Sequence, residues 1–302
     1  MNYYNEIKTK LIDNEVYKKV KDYSKNRNEL NTYYDVGKLL IEAQGGEDRA
    51  KYGDGLIKEY SKRLTNELGK GYSTRNLKNM RKFYLFCEKG QPVVAQLSWS
   101  HYCILLSIKN INEINYYINV TIQHSLSKRQ LIERIKNKEY QRLEDKTKLK
   151  LINKEEITVS DFIKNPIIIK NKNNINEEEE ISEKILQNLI LEDIPCFLKE
   201  LGIGFSFIEN EYKIKIGNTY NYIDLLLFNI KYNCYAVVEL KVTELKKEHI
   251  GQIEIYMNYI DKHIKNINQN KTIGVIVTRI DNHYYIEYSS DSRIISRNYI
   301  LN

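Results

Sequence analysis

The chain has 302 residues, enough for two hydrophobic cores, and a formal net charge of +7. Its four cysteines, Cys87, Cys103, Cys196 and Cys234, are scattered without a C-x-x-C pair, and its five histidines form no H-E-x-x-H pair, which argues against a disulfide framework and a zinc site. The opening MNYYNEIKTK is polar and no apolar run approaches a membrane span, so the expectation is a soluble, cytoplasmic protein with no membrane partner.

Charge is unevenly divided along the chain. Residues 1–155 carry 30 Lys and Arg against 19 Asp and Glu, a net +11, while residues 156–302 carry 17 against 21, a net −4. A basic half points to a polyanion, and nucleic acid is the obvious one, although a basic face can also be simply solvated. Heavy use of Asn, Ile, Lys and Tyr is what an AT-rich genome imposes, but it does not create an asymmetry between halves.

The first half reads as helices. Tyr33, Val36, Gly37, Leu40 and Ile41 follow helical spacing, and Leu56, Tyr60 and Leu64 repeat it after the GDG turn at Gly53–Gly55. In ELGKGYSTRNLKNMRKFYLF, Gly69 and Gly71 end one helix and Ser73 caps the next. That next helix is expected to bury Leu77, Met80 and Tyr84, with Phe83 beside them, and to project Arg75, Lys78, Asn79 and Lys82 elsewhere. Helix, tight glycine turn and basic helix resemble a helix-turn-helix whose second helix could enter a major groove; the alternative is an amphipathic helix with a solvated basic face. Trp99, among aliphatics in QLSWSHYCILLSI, is read as core, with Ser98 or Ser100 capping its helix. SLSKRQLIERIKNKEYQRL is a further amphipathic helix capped by Ser127, whose basic face could extend a nucleic-acid surface or pack on a second subunit of a homodimer.

A boundary is expected between about 155 and 182, across Pro166, the polar run KNKNNIN and the acid block Glu177–Glu180, which suits a helix N-terminus. One helix is then expected over Glu183–Leu201, stopped by Gly202. Two β-rich runs follow, NYIDLLLF and NIKYNCYAVVELKV, each with one acid at an otherwise apolar place, Asp224 and Glu239. The period of two puts Lys241 on the same face as Glu239. A buried ion pair accounts for one acid and one base. Two acids for one base leave a net negative pocket that a hard divalent cation such as Mg²⁺, with Mn²⁺ as substitute, would neutralise. A carboxylate-held metal with a lysine beside it is a set suited to hydrolysing a phosphodiester. The next helix, about Lys247 to Ile264, carries Ile250, Ile253, Met257, Ile260 and Ile264 on one stripe and Gln252, Tyr256, Tyr259 and His263 on another, which can face the cleft. TIGVIVT, Thr272–Thr278, adds a strand, and IEYSSDSRIISRNYIL ends the chain with alternating character.

An Ile-Asp before an apolar run, fourteen residues, Glu-Leu-Lys closing a strand and Gly251-Gln252 opening a helix together resemble the PD-(D/E)XK nuclease superfamily. FLKELGIGFSF, YIDLLLF, VVELK and IGQIEIYMNYID are similar to the C-terminal half of the YhcG-like nucleases, and YDVGKLL, AKYGDGLIKEYSKRL and GKGYSTRNLKNMRKFY to their N-terminal domain. The resemblance implies an α/β (α+β) protein: an all-α, helix-turn-helix-like domain over 1–155, binding DNA through Arg75, Lys78, Asn79 and Lys82, then a restriction-endonuclease-like domain over 156–302 with a mixed central sheet flanked by helices. It implies a metal-dependent DNA endonuclease in which Asp224, Glu239 and the backbone carbonyl of Leu240 hold Mg²⁺, Lys241 holds the attacking water and the phosphate, and Gln252 assists. A glutamate on the first nuclease helix often assists the metal in that superfamily; the aligned position here is Gln187, and Glu183 and Glu192 are the other candidates. Glu209 and Glu211 stand where relatives tend to have a basic residue and a glutamine. The competing reading is a catalytically weak or inactive DNA-binding adaptor that keeps the fold.

Overall fold

The computed structural model describes residues 3–18, 25–46, 54–90, 94–172, 181–280, 283–287, 289 and 291–302. Gly53 of the GDG turn, part of KNKNNIN and the acid block Glu177–Glu180 lie outside them. The chain forms two compact units, Met1–Tyr140 and Gln141–Asn302.

The first unit is helical: α1 Tyr3–Lys18, α2 Lys25–Ala43, α3 Asp54–Leu68, α4 Thr74–Glu88, α5 Trp99–Leu105, α6 Ile111–Gln123 and α7 Lys128–Lys136. Gly69 and Gly71 adopt φ of 92° and 123°, conformations in which a side chain would be strained, and so turn the chain out of α3. Ser73 then accepts the N–H of Asn76 at 3.2 Å and starts α4. Ser127 and Gln130 form a capping box on α7. The buried face of α4 is Leu77, Met80, Phe83 and Phe86. Tyr84, contrary to the spacing argument, is only half-buried; α2 crosses α4 at Gly37. A Cβ on Gly37 would stand 2.2 Å from the Met80 carbonyl oxygen and 2.8 Å from the Tyr84 Cβ, so the crossing depends on that glycine. Gly37→Ala is therefore expected to force the two helices apart and cost about 1–3 kcal/mol in chemical unfolding, although alanine is the better helix former. Trp99 belongs to the packing, its ring 4.6 Å from that of Tyr33 and 5.6 Å from that of Phe83.

The second unit contains α8 Asp145–Asn153, a 3-10 turn Val159–Phe162, β1 Ile167–Ile169, α9 Glu183–Glu192, α10 Ile194–Leu201, β2 Phe205–Ile216, β3 Thr219–Asn229, β4 Cys234–Glu244, α11 Lys247–His263, β5 Asn270–Ile280, α12 His283–Glu287 and β6 Ile294–Leu301. Among the described residues these make one six-stranded sheet in the order β1-β6-β5-β4-β3-β2. β2, β3 and β4 run antiparallel, whereas β4, β5, β6 and β1 are parallel, which requires the crossover through α11. One face packs under α9 and α10 through Leu186, Leu189, Ile190, Phe197, Leu225 and Val238. The other packs under α11 through Ile250, Ile253, Met257, Ile260 and Val237.

One expectation is corrected here. The single helix over Glu183–Leu201 is broken at Asp193, whose φ of −143° and ψ of 56° leave the helical region; its side chain caps α10 by accepting the N–H of Cys196, and Pro195 occupies the first turn. The division after Tyr140 leaves the segment from Gln141 onward with the second unit, where it is tied to the sheet. Arg142 and Glu200 form a buried bidentate pair. Arg297 pairs with Glu144 at 2.6 Å, and Asp161 takes Lys150 at 2.9 Å and Thr147 at 3.1 Å. Among the described residues no helix is long and apolar enough to cross a membrane.

Candidate active site

β3 and β4 pair with Leu225 opposite Val238, which puts Asp224 and Glu239 at the next step of the register. There the backbone ladder gives way: the Asp224 Oδ2 accepts the N–H of Leu240 at 2.8 Å, a side chain doing what a carbonyl does further along. β4 meanwhile continues against β5, with Glu239 beside Ile276 and Lys241 beside Thr278. Val237 lies in the core under α11, so the period of two turns Glu239 and Lys241 to that same face. The Lys241 Nζ stands 3.6 Å from the Glu239 Oε2.

Glu239 is 1% exposed, and its Oε1 has no hydrogen-bond partner among the described residues. Burial, reinforced by the charge of Asp224 and opposed by that of Lys241, pushes its carboxyl up to about 8. Asp224 is raised too, first by burial; the Leu240 N–H and Lys241 pull the other way. Burial pulls Lys241 down, but Glu239, Glu183 and Asp224 outweigh it and leave the ammonium above its ordinary range.

α9 brings two further groups. Glu183, in its first turn, places Oε2 3.3 Å from the Lys241 Nζ. Gln187, one turn on and buried, donates to the Asp224 carbonyl oxygen at 3.1 Å. Residues at i and i+4 share a helix face, so the acid and the amide serve the site together. Glu192, at the far end of α9, instead offers its backbone carbonyl to Lys172. Glu211 of β2 sits in the left-handed region at φ 53° and pairs with Lys184 at 2.5 Å; Lys184 also donates to Gln187. A non-glycine residue in that conformation inside a strand bends it sharply.

From α11, Gln252 donates to the Tyr256 hydroxyl at 3.0 Å. Tyr256 is buried, and its hydroxyl is raised by burial, with Glu239 and Asp224 adding to the shift. The sequence pattern did not single out His249, three residues before Gln252. It is buried, accepts the Lys246 N–H on Nδ1 at 3.1 Å, and is held below its ordinary range by burial and by the charge of Lys241. Its spacing of three and seven from Gln252 and Tyr256 was the signal that could have found it.

Among the described residues no three His, Cys, Asp or Glu side chains gather as a metal cluster. The donor set nonetheless fits a hard cation: two adjacent carboxylates, one with a buried unpartnered oxygen and a carboxyl that would be deprotonated by a neighbouring positive charge. In the first unit, Arg75, Lys78, Asn79 and Lys82 share one face of α4 and line, with Thr74, Cys103 and Ser107, a pocket of about 420 Å³.

Residues 9–142 match the DUF1016 N-terminal domain, and residues 160–299 match the YhcG PDDEXK nuclease domain. The Escherichia coli (strain K12) protein named "Putative nuclease YhcG" is 28% identical over 285 residues, covering 82% of this chain and 75% of that protein. Two solved structures show a fainter likeness: a repair endonuclease from Pyrococcus abyssi, at 20% identity and TM-score 0.29 over 40% of this chain and 48% of that one, and an EndoMS–dsDNA complex, at 18% identity and TM-score 0.30 over 40% and 47%. This chain thus spans about half of either solved structure's length. With one family match on each unit, together running from residue 9 to residue 299, the chain belongs to the YhcG-like PD-(D/E)XK nuclease family.

Proposed function

We propose that the protein is a divalent-metal-dependent DNA endonuclease, with Asp224, Glu239 and the backbone carbonyl of Leu240 holding Mg²⁺, or Mn²⁺ in its place. The observation that carries this reading is the buried, unpartnered Glu239 Oε1 beside Asp224 and Lys241. When bound, the ion supplies charge neutralisation and an acidified water for attack on phosphorus. Lys241, held by Glu183, orients that water and the scissile phosphate. Gln252 and Tyr256 hydrogen-bond around the reacting group, and Gln187 fixes the backbone that aims Asp224.

The test joins binding to turnover. Calorimetry should show Mn²⁺ bound by wild type and lost from Asp224→Asn, with zinc not preferred over either ion. Labelled linear, circular and branched DNAs should be cut with Mg²⁺ or Mn²⁺ and spared with chelator. Equal Mn²⁺ affinity in both proteins removes Asp224 from the site, and cutting in chelator removes the metal.

The α4 stripe would carry the DNA-binding charge of the first unit. Arg75→Gln together with Lys78→Gln should lower the slope of log affinity against log salt by about 0.9 for each phosphate that is no longer neutralised. An unchanged slope in a fluorescence-anisotropy titration assigns the phosphates to other residues.

A further inference from the structure

Beyond the acids, β3 continues to the tip of its hairpin with β2, and the two faces of that hairpin differ in character. Ile214 and Ile223 are buried in the core under α11, with Tyr212 and Ile216 packed against it. The opposite face carries Tyr220 and Tyr222, 53% and 52% exposed. The register sets Lys213 directly across from Tyr222 and Lys215 across from Tyr220. The Lys213 Nζ stands 4.0 Å above the centre of the Tyr220 ring, and that of Lys215 stands 5.8 Å from it. Tyr220, Tyr222 and Asp224 occupy successive alternate positions of β3.

Lysines alone would need no function here. β2 is an edge strand of the sheet, and edge lysines deter pairing with other chains. Edge protection does not account for two exposed tyrosines, each set across from a lysine, in a stretch of β3 that pairs with β2 alone. Alternate strand residues are about 7 Å apart, twice the rise of a base in a duplex. Rings at that stride cannot meet the faces of bases stacked inside a double helix. They can meet those of a strand whose bases have come apart, with the lysines against its phosphates.

We propose that this face of the β2–β3 hairpin is a track that binds an unpaired nucleic-acid strand by stacking, two residues along β3 from Asp224. The substrate class is then DNA with a single-stranded segment, such as a flap, a fork or a resected end, rather than intact duplex. This rests on the nuclease reading for its purpose but not for its test.

The full-length protein, in chelator so that nothing is cut, would be titrated into a labelled oligothymidine and a blunt duplex of equal length. Tyr220→Ala with Tyr222→Ala should weaken oligothymidine binding about tenfold per ring, while the Phe pair, which keeps the stacking surface, retains it and duplex affinity stays unchanged. Lys213→Gln and Lys215→Gln should each lower the single-strand salt slope by about 0.7. The track is overturned if the Ala pair binds oligothymidine as wild type does, if it loses both ligands equally, or if the Phe pair fails alongside it. Failure to cut any DNA with metal present, with these binding changes intact, overturns the nuclease reading alone.

Discussion

Lys241→Ala is expected to slow single-turnover DNA cleavage by about 10²–10³-fold, the range seen when one preorganised charge or donor is removed from a reacting centre. DNA affinity should barely change, because the lysine meets only the scissile group and its loss belongs to the chemical step. Divalent-metal binding should be kept or slightly tightened, since a positive neighbour leaves the ion. Lys241 is 8% exposed and pairs with Glu239 and Glu183, so its removal also costs stability. Rates are therefore to be compared in protein shown to be folded by circular dichroism, and Lys241→Met, which keeps the stem, should behave as Ala does. Cleavage at the wild-type rate by either variant would falsify the assigned role.

Glu239→Gln should change how stability responds to pH. The Glu239 carboxyl titrates at about 8 in the folded chain against an ordinary 4.5, so the folded state binds its proton more tightly than the unfolded state does. The stability it contributes is fully present below 4.5 and is lost as pH rises through about 8. Metal-free wild type should accordingly weaken by several kcal/mol across that interval, whereas Gln, which mimics the protonated carboxyl, loses nothing there. Urea unfolding in chelator at the two ends of the interval should find the variant more stable than wild type at the alkaline end, with the gap closing on acidification. A pH-independent gap would mean that Glu239 ionises without penalty. Added Mg²⁺ should stabilise wild type at the alkaline end and leave the variant nearly unmoved.

Much of the site was legible because a strand has a period of two and a helix a period near 3.6. Glu239 and Lys241 had to share a face, and Gln252 and Tyr256 had to share another; both pairs meet, at 3.6 Å and 3.0 Å. What local pattern could not weigh were distant partners. Alignment pointed to Gln187 as the helix residue of the site, yet Gln187 and Glu183 stand one turn apart and the fold uses both, the first on the Asp224 backbone and the second on Lys241. Tyr84 has the spacing of a buried residue, but Phe83 and Phe86 complete the buried face with Leu77 and Met80. The break at Asp193 did have a local sign in Pro195, which an unbroken apolar period from Leu186 to Leu201 outweighed.

The segment from Arg142 to Asp161 bears on how such chains can be recombined. Composition invites a crossover near residue 155, where the basic half ends, but a fragment begun there would discard Arg142, Glu144, Thr147 and Lys150 and strand Glu200, Arg297 and Asp161 inside the sheet domain without their countercharges. Each orphaned charge would cost several kcal/mol, against a total stability of about 5–15 kcal/mol for an ordinary domain. Exchange of the helical unit between relatives therefore has its tolerated seam before Arg142, and any graft made downstream has to carry a matching set of salt-bridge partners with it.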